Sequence, residues 1–163
     1  MPSGSSVIQS GVVTPGHIAA WATDGVIEDS GLTFSNTYGM LSVSELANFN
    51  SANTDTTLVI SLPAGYTRYR ISTILISGAS AAINSATCGV FTAAAGSGVA
   101  VVAGSTAVAV NTSAADTSGN MQQLTIANQT TIAFNDAALF FRVQTANGAP
   151  GTASVTVNYE PLP

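Results

Sequence analysis

The segment 152-TASVTVNY-159 alternates polar residues with small or apolar ones over its whole length. Successive side chains of a β-strand point to opposite faces, so this pattern predicts a strand with one buried and one solvent-facing side. We expect the inward side chains to be Ala153, Val155, Val157 and Tyr159, and the outward ones to be Thr152, Ser154, Thr156 and Asn158.

A second alternating segment, Leu139–Thr145, precedes the first along the chain. Asn147-Gly148 lies between them, and Asn-Gly is the dipeptide that favours the tight turn of a β-hairpin. We therefore predict that the two strands form a hairpin. In the earlier strand the inward set is Leu139, Phe141 and Val143, and the outward set is Phe140, Arg142 and Gln144.

Further extended segments are separated by Gly, Pro, Ala and Ser, which are typical of turns and breaks. Alternation in Arg68–Ser77 places Tyr69, Ile71, Thr73 and Leu75 on one face and Arg70, Ser72, Ile74 and Ile76 on the other. This strand is expected to end buried on both faces. The remaining predicted strands are Thr57–Leu62, Ala86–Thr92, Gly98–Val102, Ala107–Val110, Met121–Ile126 and Thr130–Phe134.

About eight short strands without intervening amphipathic helices predict an all-β fold with an antiparallel jelly-roll or β-sandwich body, which we place at residues 56–163. A parallel sheet is excluded because it needs crossover connections. Few charged residues guard the expected sheet edges. Pairing with another subunit would cover them, and this predicts an oligomer.

The composition describes a folded chain with very little charge. Of the 163 residues, 46% are hydrophobic and only 7% are charged, against roughly 25% charged residues in ordinary globular proteins. Such a surface depends on Ser, Thr, Asn and Gln for solubility, which suits a protein embedded in a large assembly. The alternative is a secreted, Ser/Thr-rich β protein.

The formal net charge is −5, with three arginines and no lysine. Nucleic-acid binding needs clustered cations, so that class of function is not expected. No apolar run approaches the length of a membrane span, and the first residues, MPSGSSVIQSG, lack the features of a signal peptide. The sequence thus predicts no membrane partner and synthesis in a cytoplasm.

Cys88 has no second cysteine to pair with and is expected to be a small core residue.

Residues 1–55 are predicted to form an extended N-terminal arm. Within it Ser10–Gly31 contains the only histidine, His17, and the only tryptophan, Trp21. Turn dipeptides divide this stretch, so we predict brief extended segments at His17–Ala22 and Val26–Ile27. Trp21 is a large apolar anchor that must be covered by its own subunit, by a neighbouring copy or by another protein.

One short helix is predicted in the arm, at Met40–Asn50. Leu41, Ser44 or Glu45, and Phe49 recur at helical spacing, and Ser42 stands three residues before Glu45, as in a capping box. The polar connector Ser51–Asp55 would then separate the arm from the body.

The pattern TPGH-x-x-x-W-x-x-DGVI-x-DSG, at Thr14–Gly31, resembles a segment near the N-terminus of virion structural proteins of tailed bacteriophages. The β-rich region after it resembles, in style, the body of capsid decoration (cement) proteins. The resemblance implies a location on the capsid surface, the major capsid protein as partner, and a homo-oligomer, with a trimer as first expectation. The alternative within the virion is a tail fibre, baseplate or receptor-binding module.

Two sets of residues are candidates for binding. The first is the part of the arm expected to lie on the capsid or on a neighbouring subunit: Gly16, His17, Ile18, Trp21, Asp24, Gly25 and Asp29. The second is a cationic and aromatic cluster, Tyr66, Arg68 and Arg70, which would dock an acidic surface or pair with carboxylates of its own subunit.

Catalysis and cofactor binding are not expected. His17 with Asp24, Glu28 and Asp29 fits none of the usual zinc spacings, and these residues are more simply explained as turn-forming side chains. No nucleophile elbow and no phosphate-binding loop is present. The prediction is therefore no enzyme, no metal and no cofactor.

Overall fold

The structure, a computed structural model, describes the backbone at 8–9, 17–23 and 26–33 and whole residues at 40–111, 121–127 and 133–162. The chain divides into two compact units, Met1–Gly39 and Met40–Pro163. The first unit contains a three-stranded sheet of order β1-β3-β2. Its strands are β1 (Ile8–Gln9), β2 (His17–Thr23) and β3 (Val26–Thr33).

The predicted extended segments His17–Ala22 and Val26–Ile27 correspond to the antiparallel strands β2 and β3. β3 is longer than expected, since it continues through Ser30-Gly31 to Thr33. β1 pairs with β3 in parallel at two positions. This pair lies in the first unit, outside the body for which a parallel sheet was excluded, and the body sheets are antiparallel as predicted.

In its described residues, the second unit has eight strands in two sheets. Sheet I has the order β4-β11-β6-β9 and sheet II the order β5-β10-β7-β8. A short 3₁₀ turn, η1 (Ala94–Gly96), joins β7 to β8. The strands are β4 (Leu41–Asn48), β5 (Thr54–Val59), β6 (Arg68–Ser77), β7 (Thr87–Ala93), β8 (Ser97–Ala107), β9 (Met121–Gln123), β10 (Ala138–Thr145) and β11 (Thr152–Leu162).

The strand pairing is nested: β4 pairs with β11, β5 with β10, β6 with β9 and β7 with β8, all antiparallel. The unit is thus one long antiparallel ribbon that is folded over itself into two sheets, which is the jelly-roll arrangement. This confirms the predicted all-β sandwich body.

The core lies between the sheets and is formed by the inward residues of both. The predicted inward residues of β10 and β11 are all buried, and the outward residues of both strands remain partly exposed. The largest fully buried side chains include Phe49, Leu58, Tyr69, Ile74, Phe141 and Leu139. Cys88 is also fully buried, as predicted.

In β6 the inward face changes partway along the strand. Tyr69 and Ile71 are buried, but after them the buried positions are Ile74 and Ile76. A register shift opposite Asn158 and Tyr159 leaves Ser72 as the extra residue of a β-bulge. The predicted continuous alternation and the burial of both faces at the strand's end were therefore wrong.

The predicted helix at Met40–Asn50 is a strand, β4, which pairs with β11 from Asn48↔Thr152 to Leu41↔Tyr159. The helical spacing was a local pattern, and a continuous partner in β11 outweighs so short a helix. Because β4 belongs to sheet I, the boundary between arm and body along the sequence lies between Gly39 and Met40, and not between Asp55 and Thr56.

The Asn147-Gly148 connection does not form the predicted hairpin. β10 lies in sheet II and β11 in sheet I, so the chain crosses between the sheets here. Gly148 has φ +77, in the left-handed region that glycine adopts without strain.

Three other predicted segments can be compared with the structure. The predicted strand Gly98–Val102 lies within β8, which extends to Ala107 with register irregularities. Of the predicted strand Ala107–Val110, only Ala107 belongs to β8, and Val110 forms an isolated bridge with Ile83. Part of Thr130–Phe134 lies outside the described residues, and Phe134 forms an isolated bridge with Tyr69. In the described part of the chain, no helix is long and apolar enough to cross a membrane.

Candidate interaction surface

The outer side of sheet I is covered mainly by hydroxyl and amide side chains. Its residues are fixed by the register of β11 with β4 and β6, and of β6 with β9. We call the part from the bulge to the row of Leu46, Ser154, Ser77 and Met121 the hydroxyl face. It consists of Ser42, Ser44, Leu46, Thr73, Leu75, Ser77, Met121, Gln123, Ser154, Thr156 and Asn158.

Hydrogen bonds between neighbouring strands order this face. Thr156 Oγ1 donates to Ser44 Oγ at 3.0 Å, and Asn158 Nδ2 donates to Thr73 Oγ1 at 2.7 Å. Such cross-strand pairs restrict the side-chain rotamers. These four side chains are therefore held in place and lose less side-chain entropy when a partner covers the face.

One row of the hydroxyl face has an exposed apolar residue at each end. Leu46 on β4 and Met121 on β9 are 64% and 60% exposed, and Ser154 and Ser77 lie between them in register. The face contains no charged residue. An uncharged surface with apolar side chains can be covered by another protein without the cost of burying ions.

The cluster Tyr66, Arg68 and Arg70 lies at and before the start of β6, beyond the hydroxyl face. Arg70 forms an ion pair with Glu160 of β11, and the two side chains are 49% and 42% exposed. The structure thus brings Arg70 together with a carboxylate of its own chain, which was one of the two alternatives. The Tyr66 backbone N–H donates to the Pro63 carbonyl in the turn before β6.

A more buried ion pair, absent from the sequence-based candidates, lies on sheet II. Arg142 Nη1 donates to Asp55 Oδ1 at 2.8 Å, and Arg142 Nη2 donates to Asn53 Oδ1 at 3.1 Å. The second Asp55 oxygen accepts the Ala95 backbone N–H at 2.6 Å. The sequence signal was the alternation of β10, which places Arg142 on an outward face, but the partner on β5 depends on strand order.

Two buried titratable side chains have perturbed acidity. Burial raises the pKa of the Cys88 thiol to about 12. Burial, followed by the nearby charge of Asp136, raises the pKa of the Tyr69 hydroxyl above its usual range. A thiol that stays protonated is a poor nucleophile, so neither group has the properties of a catalytic residue at neutral pH.

The arm candidates fall in the first unit. His17, Ile18 and Trp21 lie in β2, where Trp21 is in register with Ile27, and Asp29 lies in β3 opposite Ala19. Gly16, Asp24 and Gly25 lie outside the described residues. Among the described residues, no group of three His, Cys, Asp or Glu side chains is placed to hold a metal ion.

Comparison of the chain with protein-family models, with curated proteins and with solved structures finds no match.

Proposed function

We propose that this chain is a non-enzymatic structural protein of a tailed-phage virion, and that it binds the outer head surface as a decoration or cement protein. The observation that carries the proposal is the hydroxyl face of the jelly-roll body, which is uncharged and has Leu46 and Met121 exposed at its edges. The resemblance of Thr14–Gly31 to phage virion segments directs the proposal to this class of assembly.

The size of the hydroxyl face argues for attachment at more than one place. Three strands contribute about five residues each to this face, and β9 contributes three. With a strand spacing of about 4.8 Å and a rise of about 3.3 Å per residue, the face spans roughly 300 Å². A stable interface uses about 800 Å² per partner, so this face supplies only part of what is needed. In the proposal, the N-terminal arm and a homo-oligomer, first of all a trimer, supply the rest through multivalent contacts.

In this arrangement the arm contacts the major capsid protein or a sister copy through Trp21 and Ile18. Covering these side chains removes apolar surface from water and ties neighbouring capsid subunits together. The shell is then reinforced by many weak, linked contacts and needs no catalysis, metal or cofactor.

The first experiment is to measure the amount of this chain relative to the major capsid protein in purified particles. A ratio close to that of the capsid lattice is expected for a cement protein. A few copies per particle would overturn that role and favour a tail fibre, baseplate or receptor-binding module, and complete absence from particles would overturn both.

A variant pair tests the role of the arm. Trp21→Ala is expected to lower the occupancy of the chain on particles while the melting transition of the Met40–Pro163 unit is unchanged. Thr23→Ala, a smaller change in the same strand β2, is the control and is expected to retain occupancy. Equal occupancy of both variants would contradict the proposed anchor.

A further inference from the structure

Apart from the core tyrosines and Cys88, Asn147 is the one buried polar residue among those the structure describes, with 6% of its surface exposed. Its side-chain amide Nδ2 donates to the Ala82 carbonyl at 2.9 Å. Its Oδ1 accepts the backbone N–H groups of Asn84 at 3.1 Å and of Ser85 at 3.3 Å. Both ends of the amide are therefore held in one orientation.

Asn147 also joins three connections that cross between the sheets. Its backbone N–H donates to the carbonyl of Phe49, in the connection from β4 to β5, at 2.9 Å. Its side chain bonds the connection from β6 to β7 through Ala82 and Ser85, and it belongs itself to the connection from β10 to β11. A change at Asn147 would thus loosen three crossings at one end of the sandwich.

Asn147-Gly148 is the only Asn-Gly dipeptide in the chain. In a flexible peptide, the backbone nitrogen following asparagine loses its proton and attacks the asparagine Cγ, and glycine hinders this attack least because it has no side chain. The new N–Cγ bond closes a succinimide ring while the Cγ–Nδ2 bond breaks and ammonia leaves. Water then opens the ring to aspartate or isoaspartate, with no redox change.

We propose that Asn147 is a deamidation site which the native fold keeps unreactive, and that its modification prevents an opened chain from closing again. In the folded state the amide is held by Ala82, Asn84 and Ser85 and shielded from water. The ring cannot close without breaking these bonds. Reaction therefore requires the β10–β11 connection to open.

The product does not fit the site that Asn147 leaves. A carboxylate has no N–H to donate, so the Ala82 carbonyl would face a negatively charged oxygen in place of its donor. A buried charge without a cationic partner is strongly unfavourable. Isoaspartate in addition lengthens the backbone by one atom, which shifts the path between β10 and β11.

The experiment follows deamidation of the full chain by peptide mass spectrometry at mildly alkaline pH, with and without concentrated urea. Unfolded chains are expected to gain about 1 Da at Asn147, and folded chains to react at least about tenfold more slowly, because opening must precede reaction. Asn147→Asp represents the product. Asn50→Asp, at an exposed turn position, is its matched control.

Asn147→Asp is expected to lower the yield of refolded protein and the unfolding midpoint, whereas Asn50→Asp leaves both nearly unchanged. Three results would overturn the proposal: equal deamidation rates with and without urea, no reaction at Asn147 in urea, or refolding of Asn147→Asp like that of Asn50→Asp. If the aspartate variant fails to express in folded form, refolding of the chemically deamidated chain gives the same comparison.

Discussion

Arg142 and Asp55 are paired in register across β10 and β5, and their side chains form an ion pair at 2.8 Å while only 13% and 20% exposed. The same carboxylate holds the N–H of Ala95, whose φ of +59 is unfavourable for an alanine. The pair thereby connects two strands of sheet II with the turn η1. A bond to charged groups in so enclosed a place contributes more than an exposed ion pair.

Asp55→Ala is expected to lower the free energy of unfolding by about 2 kcal/mol, because it leaves the Arg142 charge and the Ala95 N–H without their carboxylate. Glu160→Ala removes the exposed partner of Arg70 and is expected to cost at most about 1 kcal/mol. Urea denaturation of both variants measures the difference. Equal losses would show that enclosure of the Asp55 pair adds nothing.

Tyr69 and Tyr159 are neighbours in the core, with ring centroids 5.6 Å apart, but their hydroxyl groups differ in hydrogen bonding. The Tyr159 hydroxyl donates to the Ser61 carbonyl at 2.9 Å, whereas the buried Tyr69 hydroxyl finds no hydrogen-bond partner among the described residues. Tyr159→Phe is expected to lower the free energy of unfolding by about 1 kcal/mol. Tyr69→Phe should leave it unchanged or raise it, and a clear loss in thermal denaturation would reveal a partner for that hydroxyl.

Two glycines test how closely β7 and β8 approach each other. A Cβ on Gly89 would lie 2.6 Å from the Gly104 Cα and 2.8 Å from the Phe91 ring, so Gly89→Ala is expected to cost about 2 kcal/mol. The three atoms nearest to a Cβ on Gly104 all belong to the end of the Gln144 side chain, which can move away. Gly104→Ala should therefore cost less than about 1 kcal/mol. The order of the unfolding midpoints checks this, and the reverse order would contradict it.

Cys88 predicts a pH dependence of stability. Its pKa is raised from 9.0 to about 12 by burial, so above pH 9 the unfolded chain releases a proton that the folded chain keeps. The contribution of the protonated, buried thiol to the free energy of unfolding is present below pH 9 and is lost as the pH rises toward 12. Between pH 8 and 10 the free energy of unfolding should fall about 1 kcal/mol more in the parent chain than in Cys88→Ala. Parallel pH profiles would contradict a buried, protonated thiol.

The strands that sequence alone predicted well are those with a regular alternation. β11 and β10 have one inward and one outward set, so their faces follow from the period of the strand. The β6 limits were also predicted, but its faces were not, because the bulge at Ser72 arises from pairing with β11. The periodicity of a strand describes that strand alone. It cannot reveal a residue that has no pairing position on the neighbouring strand.

The other differences between prediction and structure arise from contacts with residues that are distant in the sequence. In Met40–Asn50 the apolar spacing and the capping pattern fit a helix, yet the long partner β11 makes it strand β4. Asn147-Gly148 has hairpin chemistry, but Asn147 is held by Ala82 and Ser85 in a crossing between sheets. A turn dipeptide indicates where the chain bends, and not which strands it joins.

The amino-acid composition indicated the candidate surface better than any sequence motif did. The scarcity of charge predicted a surface suited to assembly, but the hydroxyl face depends on the order β4-β11-β6-β9, which brings Leu46 and Met121 into one row. Arg70 was found from sequence because it is in a cluster. Asp55 and Arg142 were missed as a pair, since 87 positions separate them along the chain.

A single introduced carboxylate tests whether the hydroxyl face is a contact surface. Leu46→Glu places a carboxylate on that face, whereas Val99→Glu places one at a similarly exposed position, 51% against 64%, in β8 of sheet II. If the hydroxyl face is covered by a sister copy or a capsid subunit, burying an unpaired carboxylate there should weaken attachment to particles at least about tenfold. Val99→Glu should attach like the parent chain, and both variants should melt like it because both positions are exposed. Equal attachment of the two variants would place the contact elsewhere on the body.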